Sequence, residues 1–483
     1  MWFYSQVKAT RTIRRYRERE SRLVISRWSS SVLALFVWRS GILAKVHKVI
    51  FGLGETGLSC ARYFDRVGVS YSVVDDNPAP PRLAALHQIN ADAPVSLVDP
   101  EIIYGASEIV VSPGVPLSLP VFAEARARGV VITGDVEMFG ELANAPIVAI
   151  TGSNGKSTVT ALVGYLASAQ RSGVFVGGNI GTPCLDLLND EATLYVLEVS
   201  SFQLELATQL PTRASVVLNL APDHLDRYES LEDYYSVKSN VYRNCSNAIL
   251  NRGVSSEFPI PQSSTVRSFG VDAPPSATDF GIIEFNGERY IGLGDEKLIA
   301  IEEIPIDGMH NVLNCMAALA LGTAIGLDMD AMLRDLKKFR GLEHRCELVA
   351  KIGGVAIYND SKATNVASTE AAIRSFGLEK NLVLILGGIS KGADFSPLRL
   401  LAKKFVKQVL VFGSAREEIL DSLDGVCPSV SCDSLEEVVA AAISHASDRD
   451  VVLFSPACAS FDMFDDYQAR GNEFKSLIAG VAI

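Results

Sequence analysis

The sequence contains no Cys-x-x-Cys pair, although it has 8 cysteines in 483 residues. This absence excludes the usual spacing of a zinc site and favours scattered, reduced thiols in a cytoplasmic protein. Positive charge is also scarce, and the formal net charge of −12 excludes a general nucleic-acid binder. With 48% apolar and 21% charged residues, the composition is that of an ordinary globular protein.

The first 45 residues lack an apolar run of membrane-spanning length. They hold ten Lys or Arg and two Glu, and their apolar run, Ser31–Trp38, ends at Arg39. A spanning helix needs about 20 apolar residues. We therefore expect no stable membrane insertion and interpret residues 1–45 as a basic extension outside the fold, either disordered or preceding the true start. A membrane-surface or targeting role stays open.

A chain of 483 residues is too long for one hydrophobic core, so several domains are expected. From Lys48 onward, short β-branched runs alternate with helical segments, a rhythm typical of doubly wound parallel sheets. The sequence predicts three α/β domains: a Rossmann-like domain at 46–134, a central P-loop ATPase-type domain at 135–341 and a Rossmann-like C-terminal domain at 342–483. Within the central domain, the turn-rich stretch 266–294 is predicted to be an antiparallel insertion.

The stretch "IVAITGSNGKSTVTALVGYLAS" (147–168) predicts a strand, a glycine-containing loop and a helix. Such a loop points backbone N–H groups at phosphate oxygens, and the helix adds its positive N-terminus. Lys156 can reach the β- and γ-phosphates, and the Ser157 hydroxyl can bind Mg²⁺. Ile150 stands where the general pattern has its first glycine. The predicted ATP-binding loop comprises Gly152, Ser153, Asn154, Gly155, Lys156, Ser157 and Thr158.

Metal ligands are expected beside a phosphate loop. Glu198 ends the apolar run "LYVLEVSS", and a carboxylate at the C-terminal end of a strand faces the ligand crevice. His224 follows another β-branched run and is interpreted as a further ligand. Lys238 lies on a predicted helix, where a solvated lysine would be the default.

Seven motifs in order resemble the Mur ligases over residues 46–483. They are "TGSNGKST", "EVSSFQLE", "NLAPDHLDRY", "HNVLN", "GLEHRCE", "NDSKATN" and "SPACASFD". The resemblance implies that Glu198 and His224 bind magnesium at two sites and that Lys238 carries a carbamate, a hard oxygen donor for the metal. It also implies that Asn311, Arg345 and Asp360 grip ATP. His344 lies beside Arg345 in "GLEHRCE", and Lys362 follows Asp360 in "NDSKATN".

"FGLGETG" contains Gly52-x-Gly54-x-x-Gly57, and Asp75 follows 18 residues later. Alone, this pattern indicates a dinucleotide site, so an NAD-dependent oxidoreductase is an alternative. The loop recognises a diphosphate, however, and a UDP-sugar supplies one too. The family resemblance implies a UDP-substrate site formed by Thr56, Asp75, Ser112, Gly114 and Asn179.

The resemblance implies an ATP-dependent ligase that adds D-glutamate to UDP-N-acetylmuramoyl-L-alanine through an acyl phosphate, in cytoplasmic peptidoglycan precursor synthesis. Lys391, Ser460 and Tyr467 match the D-glutamate-binding positions, with Tyr467 in place of a common phenylalanine. A monomer is expected. The alternatives are another Mur-type or folylpolyglutamate synthase-like ligase, and a non-catalytic UDP-sugar-binding protein.

Overall fold

The computed structural model describes residues 47–221, 227–228, 230–254, 258–306 and 308–481. The basic extension and His224 therefore lie outside the described residues. The described chain forms three sheets, of five, nine and six strands. Among its helices, none combines the length and the apolarity that crossing a bilayer requires.

The first sheet is wholly parallel, with strand order β3-β2-β1-β4-β5. Four helices connect its strands, which confirms the alternation predicted from the sequence. The strands are β1 (His47–Phe51), β2 (Ser70–Val74), β3 (Val95–Ser96), β4 (Glu108–Val111) and β5 (Val131–Thr133), and the helices are α1 (Glu55–Val67), α2 (Leu83–Ile89), α3 (Pro100–Tyr104) and α4 (Pro120–Ala127).

The loop between β1 and α1 explains two glycines of the Gly-x-Gly-x-x-Gly pattern. Gly52 has φ 93°, a left-handed conformation that side chains disfavour. Gly57 lies so close to the loop that a Cβ atom would sit 2.1 Å from the Gly52 carbonyl oxygen. Glycine at position 57 therefore lets the helix pack directly against the turn that precedes it.

The central sheet has the strand order β14-β13-β12-β11-β10-β9-β6-β8-β7. Helix α5 (Asp135–Leu142) leads into it from the first sheet. Its strands are β6 (Ile147–Thr151), β7 (Val174–Gly178), β8 (Leu194–Glu198), β9 (Ala214–Val217), β10 (Asn247–Asn251), β11 (Thr265–Phe269), β12 (Phe280–Phe285), β13 (Glu288–Leu293) and β14 (Glu296–Ala300), and its helices are α6 (Lys156–Ser168), α7 (Ser201–Leu204), α8 (Leu231–Ser239), α9 (Met309–Ala324) and α10 (Met329–Leu336).

The predicted insertion at 266–294 is an extension of this sheet. Strand β11 pairs in parallel with β10, and β12 joins β11 in parallel through a single residue pair. Only β12, β13 and β14 pair antiparallel. The expectation of a wholly antiparallel segment was therefore wrong for β11, because a short strand carries no local signal of the direction of its neighbour.

The third sheet has the order β15-β16-β20-β17-β18-β19, with only β15 antiparallel. The four predicted strands are present as β16, β17, β18 and β20, and β15 and β19 were missed. The strands are β15 (Glu347–Ile352), β16 (Val355–Asn359), β17 (Leu382–Gly387), β18 (Val406–Phe412), β19 (Ser429–Ser431) and β20 (Val451–Phe454), and the helices are α11 (Val366–Phe376), α12 (Leu398–Phe405), α13 (Arg416–Leu423), α14 (Leu435–His445) and α15 (Tyr467–Val481).

The first and central sheets share one hydrophobic core. Apolar side chains from α1 and α5 pack in the same cluster as those of β8, with Phe139 edge-on to Tyr195 at 4.9 Å between ring centroids. Arg62 of α1 forms an ion pair with Asp186, which follows β7. The third sheet has separate clusters on its two faces. Each sheet with its helices forms one unit of the structure. Burial of apolar surface joins the first and central units into one packed body.

A buried carboxyl group lies at this joint. Asp135 begins α5 and is 2% exposed. Its Oδ2 accepts a hydrogen bond from Gln203 Nε2 at 3.2 Å, whereas its Oδ1 has no partner. Burial raises the pKa of Asp135 to about 6, and the hydrogen bond from Gln203 opposes that rise. The charged form is thus the costly one in the folded protein.

We predict that Asp135→Asn changes the pH dependence of stability. Between about pH 4 and pH 6 the unfolded chain loses this proton while the folded chain keeps it, so folding weakens as pH rises. The raised pKa corresponds to a loss of about 3 kcal/mol in the free energy of unfolding at neutral pH, relative to a pH at which the carboxyl is protonated in both states. Thermal and urea unfolding of both proteins at pH 4.5 and 7 should show the variant gaining stability relative to wild type at the higher pH.

Asp92→Asn is the matched control, because Asp92 is an exposed carboxyl of the first unit outside this joint. If the stability of Asp135→Asn relative to wild type is the same at both pH values, the buried charge does not have the cost described.

Candidate functional site

The predicted phosphate loop connects β6 to α6 at the carboxyl edge of the central sheet. Gly152 has φ 150° and Gly155 has φ 82°, both in the region that favours glycine. A Cβ atom on Gly155 would lie 2.6 Å from Asn314 Oδ1, on α9. The absence of a side chain at Gly155 thus allows the loop to pack closely against α9. The loop leads directly into the N-terminus of α6, the end of a helix that favours anions.

Two lysines converge on one carbonyl oxygen of this loop. Lys156 Nζ donates to Gly152 O and to Ser153 O, each at 2.9 Å. Lys238 Nζ, on α8, also donates to Gly152 O, at 3.0 Å. Lys238 is 2% exposed and its Nζ lies 4.6 Å from the Tyr234 ring centroid. The structure therefore replaces the default of a solvated lysine with a buried one beside the loop.

Glu198 lies on the other strand that borders the loop. Strands β6 and β8 are parallel neighbours with Ile150 opposite Glu198, so the carboxylate is level with the start of the loop. Its Oε2 accepts from Ser157 Oγ at 2.6 Å, and its Oε1 accepts from Asn179 Nδ2 at 2.8 Å. Glu198 is 3% exposed and lies at the edge of the sheet where the loop begins.

The hydroxyl of Ser157 and the carboxylate of Glu198 fit a magnesium ion, which prefers hard oxygen ligands. In the described part of the chain no group of three or more His, Cys, Asp or Glu side chains could hold a metal. Mg²⁺ usually keeps several waters and is bound through one or two carboxylates together with substrate phosphates. His224, the other expected ligand, lies outside the described residues.

Other loop residues are fixed by the segment after β9. Asn154 N–H donates to Asn219 Oδ1 at 2.8 Å, and Ser153 Oγ donates to Ala221 O at 2.9 Å and contacts Tyr234 OH at 3.2 Å. Thr158 is half-buried in the first turn of α6. Asn311 reaches the loop through its neighbour on α9, because its Oδ1 accepts from Asn314 Nδ2 at 3.1 Å.

The predicted UDP-substrate residues of the first unit meet at the carboxyl edge of its sheet. Asp75 Oδ2 accepts from Leu53 N–H at 2.7 Å, which ties the end of β2 to the glycine loop. Ser112 Oγ donates to Gly52 O at 2.7 Å from the end of β4. Thr56 lies half-buried in the first turn of α1, and Gly114 is exposed beyond β4. Asn179, also predicted here, instead bonds Glu198.

Arg227, in the "DHLDRY" motif, was not singled out from the sequence. Its guanidinium donates to Pro113 O at 2.9 Å and Val115 O at 3.1 Å, in the segment after β4. It also forms an ion pair with Glu205 at 2.9 Å and lies 4.4 Å from the Phe202 ring centroid. The loop that carries Ser112 is therefore linked to the segment that follows Glu198. Only the fold reveals the contacts of Arg227 with Pro113 and Val115, because these residues lie more than 100 positions from Arg227 in the chain.

In the third unit, Asp360 is buried after β16. Its Oδ2 accepts from Ser455 Oγ at 2.7 Å, and its Oδ1 accepts from Cys346 N–H at 3.2 Å. Burial raises the pKa of Asp360 to about 6, against the opposing hydrogen bonds and the positive charge of half-buried Arg345. The predicted ATP-gripping pair, Arg345 and Asp360, is thus close enough to interact electrostatically.

His344 and Lys362 pack around Tyr467. Lys362 Nζ donates to Tyr467 OH at 3.1 Å and lies 4.1 Å from its ring centroid. The His344 ring is edge-on to that of Tyr467, with centroids 6.1 Å apart, and its Nδ1 accepts from Asn359 Nδ2 at 3.0 Å. Burial and the Lys475 ammonium lower the pKa of His344, so the imidazole is neutral at pH 7.

Lys391 and Ser460 lie on two loops that run beside each other. Ile389 and Ala459 exchange backbone hydrogen bonds at 2.8 and 3.1 Å, which brings the residues that follow them to the same edge. Lys391 is exposed, with φ 51° and its Nζ 5.6 Å from the Phe461 ring centroid. Ser460 is buried, and its carbonyl accepts the N–H groups of Met463 and Phe464.

Comparison with known families matches all three units. The Mur ligase MurD-like N-terminal domain matches residues 46–134, the Mur ligase middle domain residues 150–322, and the Mur ligase glutamate ligase domain residues 344–458. These three matches account for most of the chain, in the order in which the sheets occur.

Two relatives extend the comparison to whole proteins. The UDP-N-acetylmuramoylalanine--D-glutamate ligase of Hahella chejuensis is 44% identical over 443 residues, covering 90% of this chain and 99% of its own. That of Pseudomonas aeruginosa is 43% identical over 447 residues, covering 91% of this chain and 100% of its own.

Among solved structures, MurC of Thermotoga maritima has a TM-score of 0.53 at 20% identity, covering 90% of this chain and 99% of its own. MurF ligase of the same organism has a TM-score of 0.52 at 16% identity, covering 90% and 95%. At these identities the two structures bear on the fold alone, and they agree with a three-part α/β layout.

We predict that Lys156→Ala weakens ATP binding by at least about tenfold, because a charge-assisted contact to a phosphate contributes on the order of 1.5–3 kcal/mol. Isothermal titration with a non-hydrolysable ATP analogue and Mg²⁺ measures this loss. Lys337→Ala, at an exposed lysine paired with Glu303, is the control. Equal affinities for wild type and Lys156→Ala would exclude the lysine from phosphate binding.

Proposed function

The chain belongs to the Mur ligase family, and from this premise we propose that it joins D-glutamate to UDP-N-acetylmuramoyl-L-alanine at the expense of ATP. The observation that carries this proposal is the 44% identity, over 90% of the chain, to a ligase of that name. The reaction belongs to peptidoglycan precursor synthesis. We further propose that the protein works in the cytoplasm and as a monomer.

The proposed reaction has two steps. A carboxylate oxygen of the substrate's alanine attacks the γ-phosphorus of ATP, which forms an acyl phosphate and releases ADP. The amine of D-glutamate then attacks the acyl carbon, and the tetrahedral adduct expels phosphate and a proton to leave the amide. The first step brings two anions together, so positive charge and fixed positions matter more than covalent help from side chains.

For the nucleotide, we propose that the loop from Gly152 to Thr158 binds the phosphates through its amides and Lys156. The positions of Asn311 beside the loop, and of Arg345 next to Asp360 in the third unit, support roles for these three in ATP binding. Ser157, Glu198 and His224 would hold magnesium, in two sites together with Lys238. Magnesium supplies charge neutralisation at the transferring phosphate.

A carbamate on Lys238 is part of this proposal. Carbon dioxide adds to the neutral amine and a proton leaves, so that the nitrogen carries a carbamate. The anionic oxygens of this group suit magnesium. The burial of Lys238 and its contact with the phosphate loop support this role. Glu198, at the end of β8, accepts hydrogen bonds from Ser157 and Asn179, which hold its carboxylate beside the loop.

For the other substrates, we propose that Thr56, Asp75, Ser112 and Gly114 bind the UDP part and that Asn179 contacts the muramoyl-alanine part. Lys391, Ser460 and Tyr467 would bind D-glutamate, whose two carboxylates call for a cation and hydroxyl or backbone donors. The domain boundaries 46–134, 135–341 and 342–483 remain a proposal, supported by the separate sheets.

An amino-acid panel tests the proposed function. Purified protein receives ATP, Mg²⁺ and UDP-N-acetylmuramoyl-L-alanine with D-glutamate, L-glutamate, D-aspartate, L-alanine or L-lysine, and phosphate release is followed with mass analysis of the product. We expect D-glutamate to exceed every other amino acid by at least about a hundredfold in kcat/KM, because a polar pocket rejects analogues that leave its groups unpaired.

Each alternative has its own outcome. A different preferred amino acid would indicate another Mur-type ligase, and glutamate addition to a folate would indicate a folylpolyglutamate synthase-like enzyme. Substrate-dependent oxidation or reduction of a nicotinamide cofactor would indicate an oxidoreductase. Binding of the UDP-sugar without phosphate release would leave only a binding protein.

We predict that Lys238→Ala lowers kcat by at least about a hundredfold, since it removes an anionic metal ligand and its orientation. Added acetate or formate should restore part of the activity by placing a free carboxylate in the vacated space. Lys338→Ala, at an exposed lysine, should keep the wild-type kcat, and added acetate or formate should not alter its activity. A Lys238→Ala enzyme with wild-type activity would remove the carbamate from the mechanism.

A further inference from the structure

Arg470 is a fully buried cation on α15, with 0% of its surface exposed. Its Nε donates to Ser361 Oγ at 3.0 Å and its Nη2 to Ser361 O at 2.8 Å. Its Nη1 donates to Cys458 O at 3.1 Å and to Gly387 O at 3.3 Å. All of these acceptors are neutral, and among the ion pairs of the described residues none includes Arg470.

A buried charge with only neutral partners is unusual. Removing an ion from water costs roughly several kcal/mol, and a nearby opposite charge normally offsets part of that cost. Burial lowers the pKa of Arg470 to about 10, so the guanidinium is still charged at neutral pH. Asp462 opposes that shift from a distance, but its Oδ2 accepts from Ser414 N–H at 2.9 Å. Because Asp462 interacts with Arg470 only from a distance and forms no ion pair with it, the guanidinium can still attract a further anion that binds nearby.

The guanidinium ties together the carboxyl ends of three neighbouring strands. Ser361 follows β16, Gly387 ends β17 and Cys458 follows β20, and β20 lies between the other two in the sheet. Gly388 passes directly over the group, since a Cβ there would sit 3.1 Å from Nη1 and 2.1 Å from Ala459 O. Arg470 thus sets how the three segments lie relative to one another.

These segments carry the candidate amino-acid site. Lys391 follows the bridge made by Ile389, and Ser460 follows its partner Ala459. Ser361 Oγ donates to Tyr467 O at 2.8 Å while it accepts from Arg470, and the next residue, Lys362, donates to the Tyr467 hydroxyl. Tyr467 is thus two hydrogen bonds from the guanidinium, and Lys391 and Ser460 follow Gly387 and Cys458, whose carbonyls it holds, by four and two positions along the chain.

We propose that Arg470 is a positioning residue for the acidic amino-acid substrate: its fork of donors fixes the loops that bear Lys391, Ser460 and Tyr467, and its unpaired charge favours the substrate's carboxylates. This inference rests on the proposed function. Arginine suits the task better than lysine, because its planar fork holds several carbonyl oxygens in fixed directions and keeps its charge when buried. The dicarboxylate substrate would supply the negative charge that the described third unit does not place against Arg470.

The test compares Arg470→Lys, which keeps the charge but loses the fork, with Arg470→Met, which loses both. We expect Arg470→Met to raise KM for the amino acid by at least about tenfold and Arg470→Lys to raise it less, while KM for ATP and for the UDP substrate stay within about twofold. A merely structural defect would change all three constants together, or would lower the fraction of active enzyme without changing any KM.

Ser361→Ala keeps the assay decisive if Arg470→Met does not fold. It leaves the charge in place and removes one acceptor of the fork, so we expect a rise of about threefold in KM for the amino acid alone. Equal KM increases for all substrates, or an unchanged KM for the amino acid in every folded variant, would overturn the inference. Equal effects of Arg470→Lys and Arg470→Met would overturn the role of the charge.

The wild-type panel separates this inference from the proposed function. If the wild-type protein does not ligate D-glutamate, the proposed function fails. If it does and the variants show no selective change in the KM for D-glutamate, only the role of Arg470 fails.

Discussion

The parallel pairing of β6 with β8 is the constraint on which the central site depends. Because Ile150 lies opposite Glu198, the phosphate loop and the carboxylate emerge at the same level of the same edge. The Ser157–Glu198 hydrogen bond at 2.6 Å follows from that register. A slip of one residue would turn Glu198 toward the other face of the sheet and separate the two oxygen groups. The position of the Ser157 hydroxyl beside the Glu198 carboxylate is thus a consequence of strand pairing.

Buried polar groups mark the carboxyl edge of each sheet, and each is balanced differently. Asp75 bonds to backbone N–H groups, and Glu198 bonds to a hydroxyl and an amide. Asp360 bonds to a hydroxyl and a backbone N–H, and its pKa is raised because burial outweighs these bonds. Arg470 is the positive counterpart, surrounded by carbonyls. These groups are held in fixed orientations by the folded chain, the arrangement in which charge assists catalysis most effectively.

The first and central units behave as one packed body, because they share a hydrophobic cluster and are bridged by Arg62 and Arg227. This packing holds the glycine loop of the first unit and the phosphate loop of the central unit in a fixed relation. A ligase needs such a relation, since a donor phosphate and an acceptor carboxylate react only when they are aligned. The third unit has its own cores, and Arg470 links the segments at the carboxyl edge of its sheet through hydrogen bonds to Ser361, Gly387 and Cys458.

The sequence alone determined the alternation of strands and helices, the two glycine loops and the order of the motifs, because these depend on local periodicity and on backbone freedom at glycine. It also predicted that Ser157 and Glu198 lie at one edge of the sheet, where parallel strands end, and the structure joins these two side chains by a hydrogen bond. Three things were decided only by tertiary structure: the parallel β11, the burial of Lys238 beneath the loop, and the roles of Arg227 and Arg470. Each depends on contacts between segments distant in the chain, because neither the burial of a single charged side chain nor the direction of a neighbouring strand can be read from local sequence.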